Sequence, residues 1–282
     1  MVCIVGTHES GTLKSGAIKM TATQDIYSLS SSTFVEQEPG VDTRPDETAA
    51  AITLQKTFEA PYIVVCTALD RANLDLLPTD VGYLQAVAAD PASSRDYTMT
   101  VADAGGDYVE TVHGDWCPTA TVNEAASSNP AETAFTLSAG TGLADVMVGT
   151  AALWGDEIVR IDAIDANAGT LTVGRGCADT PSTPHAAGER IWFVGADDVA
   201  SDSTEYTDGE SLSIKLLTNT ASQQLDPALA TAMPVEMVGR QARPYPPAAP
   251  TLNGEAIPAL IFSTADVTWV HRDRKAQADQ LV

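Results

Sequence analysis

An alternation of apolar and polar residues, cut by turn residues, runs from Trp154 to Val194. It limits the fold more than any other feature of the chain. Ile158, Arg160 and Asp162 interleave with Val159 and Ile161, and Leu171 and Val173 alternate with Thr170 and Thr172. Successive side chains of a strand point to opposite faces, so a period of two buries one face and leaves the other wet. Between these runs lies Asp165-Ala166-Asn167-Ala168-Gly169, where Asn167 and Gly169 both tolerate positive φ and fit a tight turn. Glu189-Arg190-Ile191-Trp192-Phe193-Val194 closes a compact antiparallel meander.

The rest of the chain carries the same signal in short pieces. Strands are expected at 17–23, 26–34, 52–58, 83–88, 97–101, 108–112, 211–217 and 234–238. Gly105 and Gly106 suit the loop of a hairpin between two of them. Pro61-Tyr62-Ile63-Val64-Val65-Cys66 is the most apolar stretch, and 62–68 reads as one buried core strand. Residues 69–77 have ambiguous spacing and stop at Pro78. Asp226 is placed to cap a turn opened by Pro227. The fold class is therefore mainly β and multidomain, built from small antiparallel β-barrel or sandwich modules.

The domain reading has five parts. Residues 1–124 form a β-rich domain, 125–198 a small antiparallel module, and 199–242 strands that return to the first domain. Residues 124–132, with Asn129-Pro130, read as the link between the first two. The Pro-rich stretch 243–250 reads as a stiff, extended linker. Residues 251–282 read as the start of a fibronectin type III-like sandwich, with Trp269 of its second strand in the core. Such a sandwich needs about 100 residues, and the sequence stops at Val282. A fragment of a longer protein is the expectation.

Composition excludes some partners. The 282 residues carry a net charge of −23, which repels nucleic acid and anionic membrane surfaces. No apolar run approaches the roughly 20 residues that span a bilayer. Met1-Val2-Cys3-Ile4-Val5-Gly6 has neither the basic region nor the apolar core of a secretory signal. Cys3, Cys66, Cys117 and Cys177 are far apart, form no C-x-x-C, and read as buried free thiols.

Motifs with chemistry fail on inspection. His271-Arg272-Asp273 matches a kinase catalytic-loop triplet, but Ala278 stands where that loop needs a metal-binding Asn. Gly140-Thr141-Gly142 lacks the third glycine of a dinucleotide fingerprint, and Gly174-Arg175-Gly176 lacks the Lys-Ser/Thr of a phosphate loop; both read as turns. His8, His113, His185 and His271 show no ligand spacing, and His185 reads as a surface loop residue. Asp197, Asp198, Asp202, Glu205, Asp208 and Glu210 crowd one segment without an EF-hand pattern, and a loose Ca²⁺ site in loop 197–210 stays open. No catalytic, cofactor-binding or metal-ligating residue is nominated.

Four segments, in order, resemble the tail baseplate and host-specificity proteins of siphophages and gene transfer agents. They are Tyr108 to Thr121, with Gly114-Asp115-Trp116-Cys117-Pro118; Trp154 to Phe193; Arg243 to Pro247; and Thr268 to Arg274. The second holds Gly174-Arg175-Gly176-Cys177, Thr180-Pro181, Pro184-His185-Ala186-Ala187-Gly188 and Ile191-Trp192. The resemblance implies a tail-hub-like first domain and a non-enzymatic structural protein of the virion. It implies a baseplate hub or central-fibre protein at the tail tip, a homotrimer whose expected contacts are other tail proteins and a host receptor or glycan. It implies no cofactor. Family members are far larger, which again implies a fragment or a separately encoded piece. The alternative is a carbohydrate-binding or adhesive β module of a secreted protein.

Overall fold

The structure, a computed structural model, describes residues 3–10, 18–24, 48–69, 71–91, 94–103, 105–195, 198–256, 260, 264–277 and 281. The chain divides into two compact units, 1–46 and 47–282. In the first, β1 (Cys3–Ser10) pairs antiparallel with β2 (Ile18–Gln24), Cys3 opposite Gln24, with a bulge between Val5 and Thr7. The strand expected at 26–34 lies outside the described residues.

The second unit opens with β3 (Gln55–Glu59), α1 (Tyr62–Ala68), α2 (Arg71–Leu76), β4 (Val81–Gly82), β5 (Leu84–Ala88), β6 (Asp96–Ala102) and β7 (Val109–Gly114). Six strands follow: β8 (Thr119–Val122), β9 (Ala134–Thr141), β10 (Ala151–Trp154), β11 (Glu157–Asp165), β12 (Thr170–Gly174) and β13 (Arg190–Val194). Then come β14 (Ala200–Ser201), β15 (Tyr206–Thr207), β16 (Ser211–Asn219), β17 (Met233–Glu236), β18 (Ala248–Leu252) and β19 (Val267–Val270). The protein is mainly β, and every ladder among the described residues is antiparallel. Among the described residues no helix is long and apolar enough to cross a membrane.

Residues 62–68 correct the sequence reading: they are helix, not strand. A short apolar run has no period that separates the two, and the β-branched Val64 and Val65 favour a strand only weakly. Tyr62 and Val65, three apart and so on one helical face, are buried. Packing of that face decides the outcome.

Two sheets enclose the first core. One has the order β17-β16-β6-β7 and the other β14-β5-β3. Leu84, Ala86, Tyr97, Met99, Ile214 and Leu216 are fully buried in it. Residues 200–219 pair back onto 81–102, through β14 with β5, β15 with β4 and β16 with β6.

The second core fills a closed barrel of order β10-β11-β12-β9-β8-β13. Closure removes the unpaired strand edges that a small sheet otherwise presents. The barrel begins at Thr119, ahead of residue 125, because Ala120 and Val122 point into it. Trp154, Val159, Ile161, Leu171, Val173, Ile191 and Phe193 complete the interior. Their alternates Leu153, Ile158 and Trp192 point outward, yet are buried too, against Tyr62, Val87, Cys117, Cys177 and Tyr245. Burial on both faces of these strands explains their near-continuous apolar runs. The β11–β12 turn is held by the Asp165 carboxylate, which accepts hydrogen bonds from the amides of Asn167 and Ala168; of the two candidate positions only Gly169 takes positive φ.

The C-terminal hairpin differs from expectation. β18 pairs with β19, and the Thr251 and Thr268 hydroxyls meet at 2.6 Å. Trp269 is 59% exposed rather than in a core, because no second sheet covers it among the described residues. Nor does the proline-rich segment run free as a spacer. Tyr245 is buried beneath the Arg272 guanidinium, 5.2 Å from its ring.

Candidate functional site

One end of the barrel is plugged by charged side chains. The two-residue turn Gly155-Asp156 joins β10 to β11 with positive φ at its first position only, the pattern of a II′ hairpin. It sets Glu157 at the start of β11, on the same inward parity as Val159 and Ile161. Gly174 ends β12, and Arg175 follows it into the barrel mouth. The loop after Pro184 returns His185 to the same point, where it bridges Ala126.

Glu157 and Arg175 pair through two hydrogen bonds, from Nε to Oε1 at 2.8 Å and from Nη2 to Oε2 at 2.9 Å. Both side chains are 0% exposed. Glu157 also accepts the amides of Gly176 at 2.7 Å and Thr183 at 2.9 Å, and its Oε2 lies 2.9 Å from His185 Nε2. A carboxylate offers about four lone-pair sites, and protein groups occupy all of them. Burial by itself raises the Glu157 carboxyl. Hydrogen bonds from His185, Arg175 and the Thr183 amide outweigh it and hold the group at about 2.

His185 corrects the sequence reading: it is buried, not a surface residue. Its ring stacks on Trp154 with centroids 4.0 Å apart and planes 10° from parallel. Nδ1 lies 3.1 Å from Glu189 Oε2, so each ring nitrogen faces a carboxylate. Carboxylates only accept, so both contacts are hydrogen bonds together when the ring carries two N–H groups. Arg175 sits 5.2 Å from the other partner of this stack, the Trp154 ring, and Phe135 meets that ring edge-on. Arg175 also donates to the Ser127 and Thr183 carbonyls. Residues 124–132 are therefore a cap on the barrel, not a free linker; Glu132 closes it by accepting from the Ser127 amide and hydroxyl, each at 2.6 Å.

A second set of charges seats the barrel on the first core. Arg240 forks onto Asp179 with bonds of 2.6 and 3.1 Å and donates to the Glu59 carbonyl. The buried Glu59 carboxylate accepts the amides of Val238 and Arg240. Lys56 bridges to the Gly155 carbonyl and Asp156. The Cys117 amide donates to Ala88, joining β5 to the entry of the barrel. Between α1 and the outer barrel wall lies a cleft of about 510 Å³, lined by Phe58, Ile63, Leu153, Ile158 and Val194 among others, with no titratable side chain among the described residues that line it.

The other sequence candidates stay apart. His113 lies on β7, far along the chain from the cluster, His271 is exposed, and His8 is on β1. Cys117 and Cys177 are buried free thiols and Cys66 is half-buried. In the acidic segment Asp202 turns inward to the Tyr206 hydroxyl at 2.7 Å, and Glu210 accepts from the Thr207 amide. Among the described residues no group of three or more His, Cys, Asp or Glu is arranged to hold a metal. Gly142 ends β9 as a turn, and Asp273 caps its own turn through the Lys275 amide. The Glu157–Arg175–His185 set was not found from sequence, although the parity of β11 does mark Glu157 as inward.

Fold and site together define a multi-module antiparallel β protein whose barrel is closed by a buried ion cluster. Comparison with protein-family models gives no match, and comparison with curated proteins gives none either.

Proposed function

We propose that the chain is a structural component of a bacteriophage tail tip, a baseplate hub or central-fibre protein acting in tail assembly and host attachment. One observation carries the reading. Of the four resembling segments, the longest, Trp154 to Phe193, contributes to four of the six barrel strands. Among its quoted residues, Arg175, Thr180 and His185 hold the barrel mouth together, and Cys177 and Trp192 pack its outer wall. Shared sequence thus serves a rigid module rather than an open reactive group, as an assembly part requires. The exposed Val267, Trp269 and Val270 of the C-terminal hairpin are suited to contact with a neighbouring subunit.

The test is immunogold electron microscopy of tailed particles released by cells that encode the chain, with an antibody to the purified protein. Gold at the tail tip is expected. Particles without gold, from cells that contain the chain, overturn the reading. Light scattering on the purified chain is expected to give three times its 29.5 kDa mass. A monomer that stays off particles and binds glycans supports the adhesive-module alternative instead.

A further inference from the structure

A polar cleft of about 450 Å³ opens where β6, β7 and β16 end, away from the barrel. Arg95, Asp96, His113, Asn219, Ser222 and Gln223 line it. Behind two of these, His113 and Asn219, lies Thr98, a buried residue on β6 that bonds to both. The Thr98 hydroxyl oxygen receives Asn219 Nδ2 at 2.9 Å and Gln224 Nε2 at 3.0 Å. Its single hydrogen is left for His113 Nδ1, 3.1 Å away. That assignment makes Nδ1 the acceptor and puts the ring hydrogen on Nε2 of an exposed residue. Asn219 is oriented independently, because its Nδ2 also donates to the Asp96 carboxylate at 2.6 Å. Its carbonyl oxygen remains an acceptor.

The walls are preformed. The Arg95 amide donates to the Asn219 carbonyl at 2.9 Å. The 219–224 loop is tied by Thr220, whose amide donates to Gln223 O and whose hydroxyl accepts the amides of Ser222 and Gln223. A ligand therefore meets a backbone wall and His113 and Asn219 side chains already held in place, which lowers the ordering cost there. The donors are the Arg95 guanidinium, exposed over 77% of its side chain, and His113 Nε2. The acceptors are Asn219 Oδ1 and the Asp96 carboxylate, and Ser222 is both donor and acceptor.

The chemistry of this array selects a ligand. Ala221 is the one apolar residue lining it among the described residues, so an apolar ligand gains little from burial there. Arg95 and Asp96 pair at 3.4 Å, which leaves the cleft near neutral on a chain of net charge −23, so an anion is not favoured. Neighbouring hydroxyls that donate and accept in turn match the alternation of fixed groups. We propose that this cleft binds a neutral saccharide, with His113, Asn219 and Arg95 as its principal contacts. The proposal names a ligand for the host-contact part of the tail-tip reading and rests on it for its biological setting only.

The experiment is saturation-transfer NMR on the full chain with the methyl glycosides of glucose, galactose, mannose, rhamnose and fucose. Transfer to at least one of them is expected. His113→Ala and Arg95→Ala, both at exposed side chains, are each expected to weaken that binding at least tenfold, with unchanged thermal melts. Val109→Ala, at the far end of β7, is expected to leave it intact. No transfer to any of the five, or transfer unchanged in both cleft variants, overturns the proposal. Immunogold labelling of particles is independent of these results, so failure of the cleft and failure of the tail-tip assignment are told apart.

Discussion

Glu157 and Arg175 lie side by side in the barrel mouth, joined by parallel hydrogen bonds of 2.8 and 2.9 Å, with neither side chain reaching solvent. The fork of a guanidinium matches the two oxygens of a carboxylate, which makes the pair directional as well as strong. Removing one member leaves the other buried and uncompensated. Glu157→Gln is therefore expected to cost about 3–5 kcal/mol of unfolding free energy, measured by urea titration. The double variant Glu157→Gln/Arg175→Met is expected to cost less than the two single changes added together, because neither charge is left alone.

Acid acts on the same group. The folded Glu157 carboxyl is held at about 2, below its ordinary 4.5. A depressed carboxyl contributes stability above its ordinary value, and that contribution is lost as pH falls through 4.5 toward 2. Unfolding free energy is expected to fall across this window in the wild-type chain. In Glu157→Gln the fall is expected to be shallower, by the share of one proton. Equal slopes in the two proteins would remove Glu157 as the cause.

Arg240 is the clamp between barrel and first core. Arg240→Ala removes the fork to Asp179 and the bond to the Glu59 carbonyl. Hydrogen bonds to charged groups contribute about 1.5–3 kcal/mol each, and a loss of that order is expected. Hydrogen exchange is expected to speed up around 177–180 and 238–242, while the amides of β11 and β12 keep their protection.

Gly176 has a backbone reason to be glycine. Its φ is +65°, and a Cβ there would stand 2.7 Å from the Ser182 amide nitrogen. Gly176→Ala combines a disfavoured conformation with a clash against backbone. It is expected to cost about 1–3 kcal/mol, read as a lower urea midpoint.

The thiols differ in reach. Burial pushes the Cys117 and Cys177 thiols up, away from the reactive thiolate. Peptide mapping after iodoacetamide treatment at pH 8 is expected to find Cys66 alkylated well before Cys117 or Cys177. All three are expected to react together once the chain is unfolded in urea.

Much of the strand pattern was legible without coordinates. The alternation in Ile158 to Asp162 and Thr170 to Val173 marked β11 and β12, and Ser211 to Leu217 marked most of β16, because period two is a local property of strands. Residues 62–68 were not legible. Seven residues, all but Thr67 apolar, fit helix or strand equally, and burial of Tyr62 and Val65 against distant residues settles the matter. Trp269 was read as core from its neighbours in sequence, but burial needs a second surface, and sequence does not show whether one is there.

The sequence by itself determined that the chain is built largely of short antiparallel strands, that it carries a net charge of −23, and that Gly169 turns the chain between β11 and β12. Only the tertiary structure decided which strands close the barrel, that residues 124–132 cap it, and that Glu157, Arg175 and His185 meet inside. These three residues span 28 positions, and each is polar, so hydropathy assigns all of them to the surface. Their burial is stable because every charge finds its partners at once, a condition that exists only when the strands are already paired.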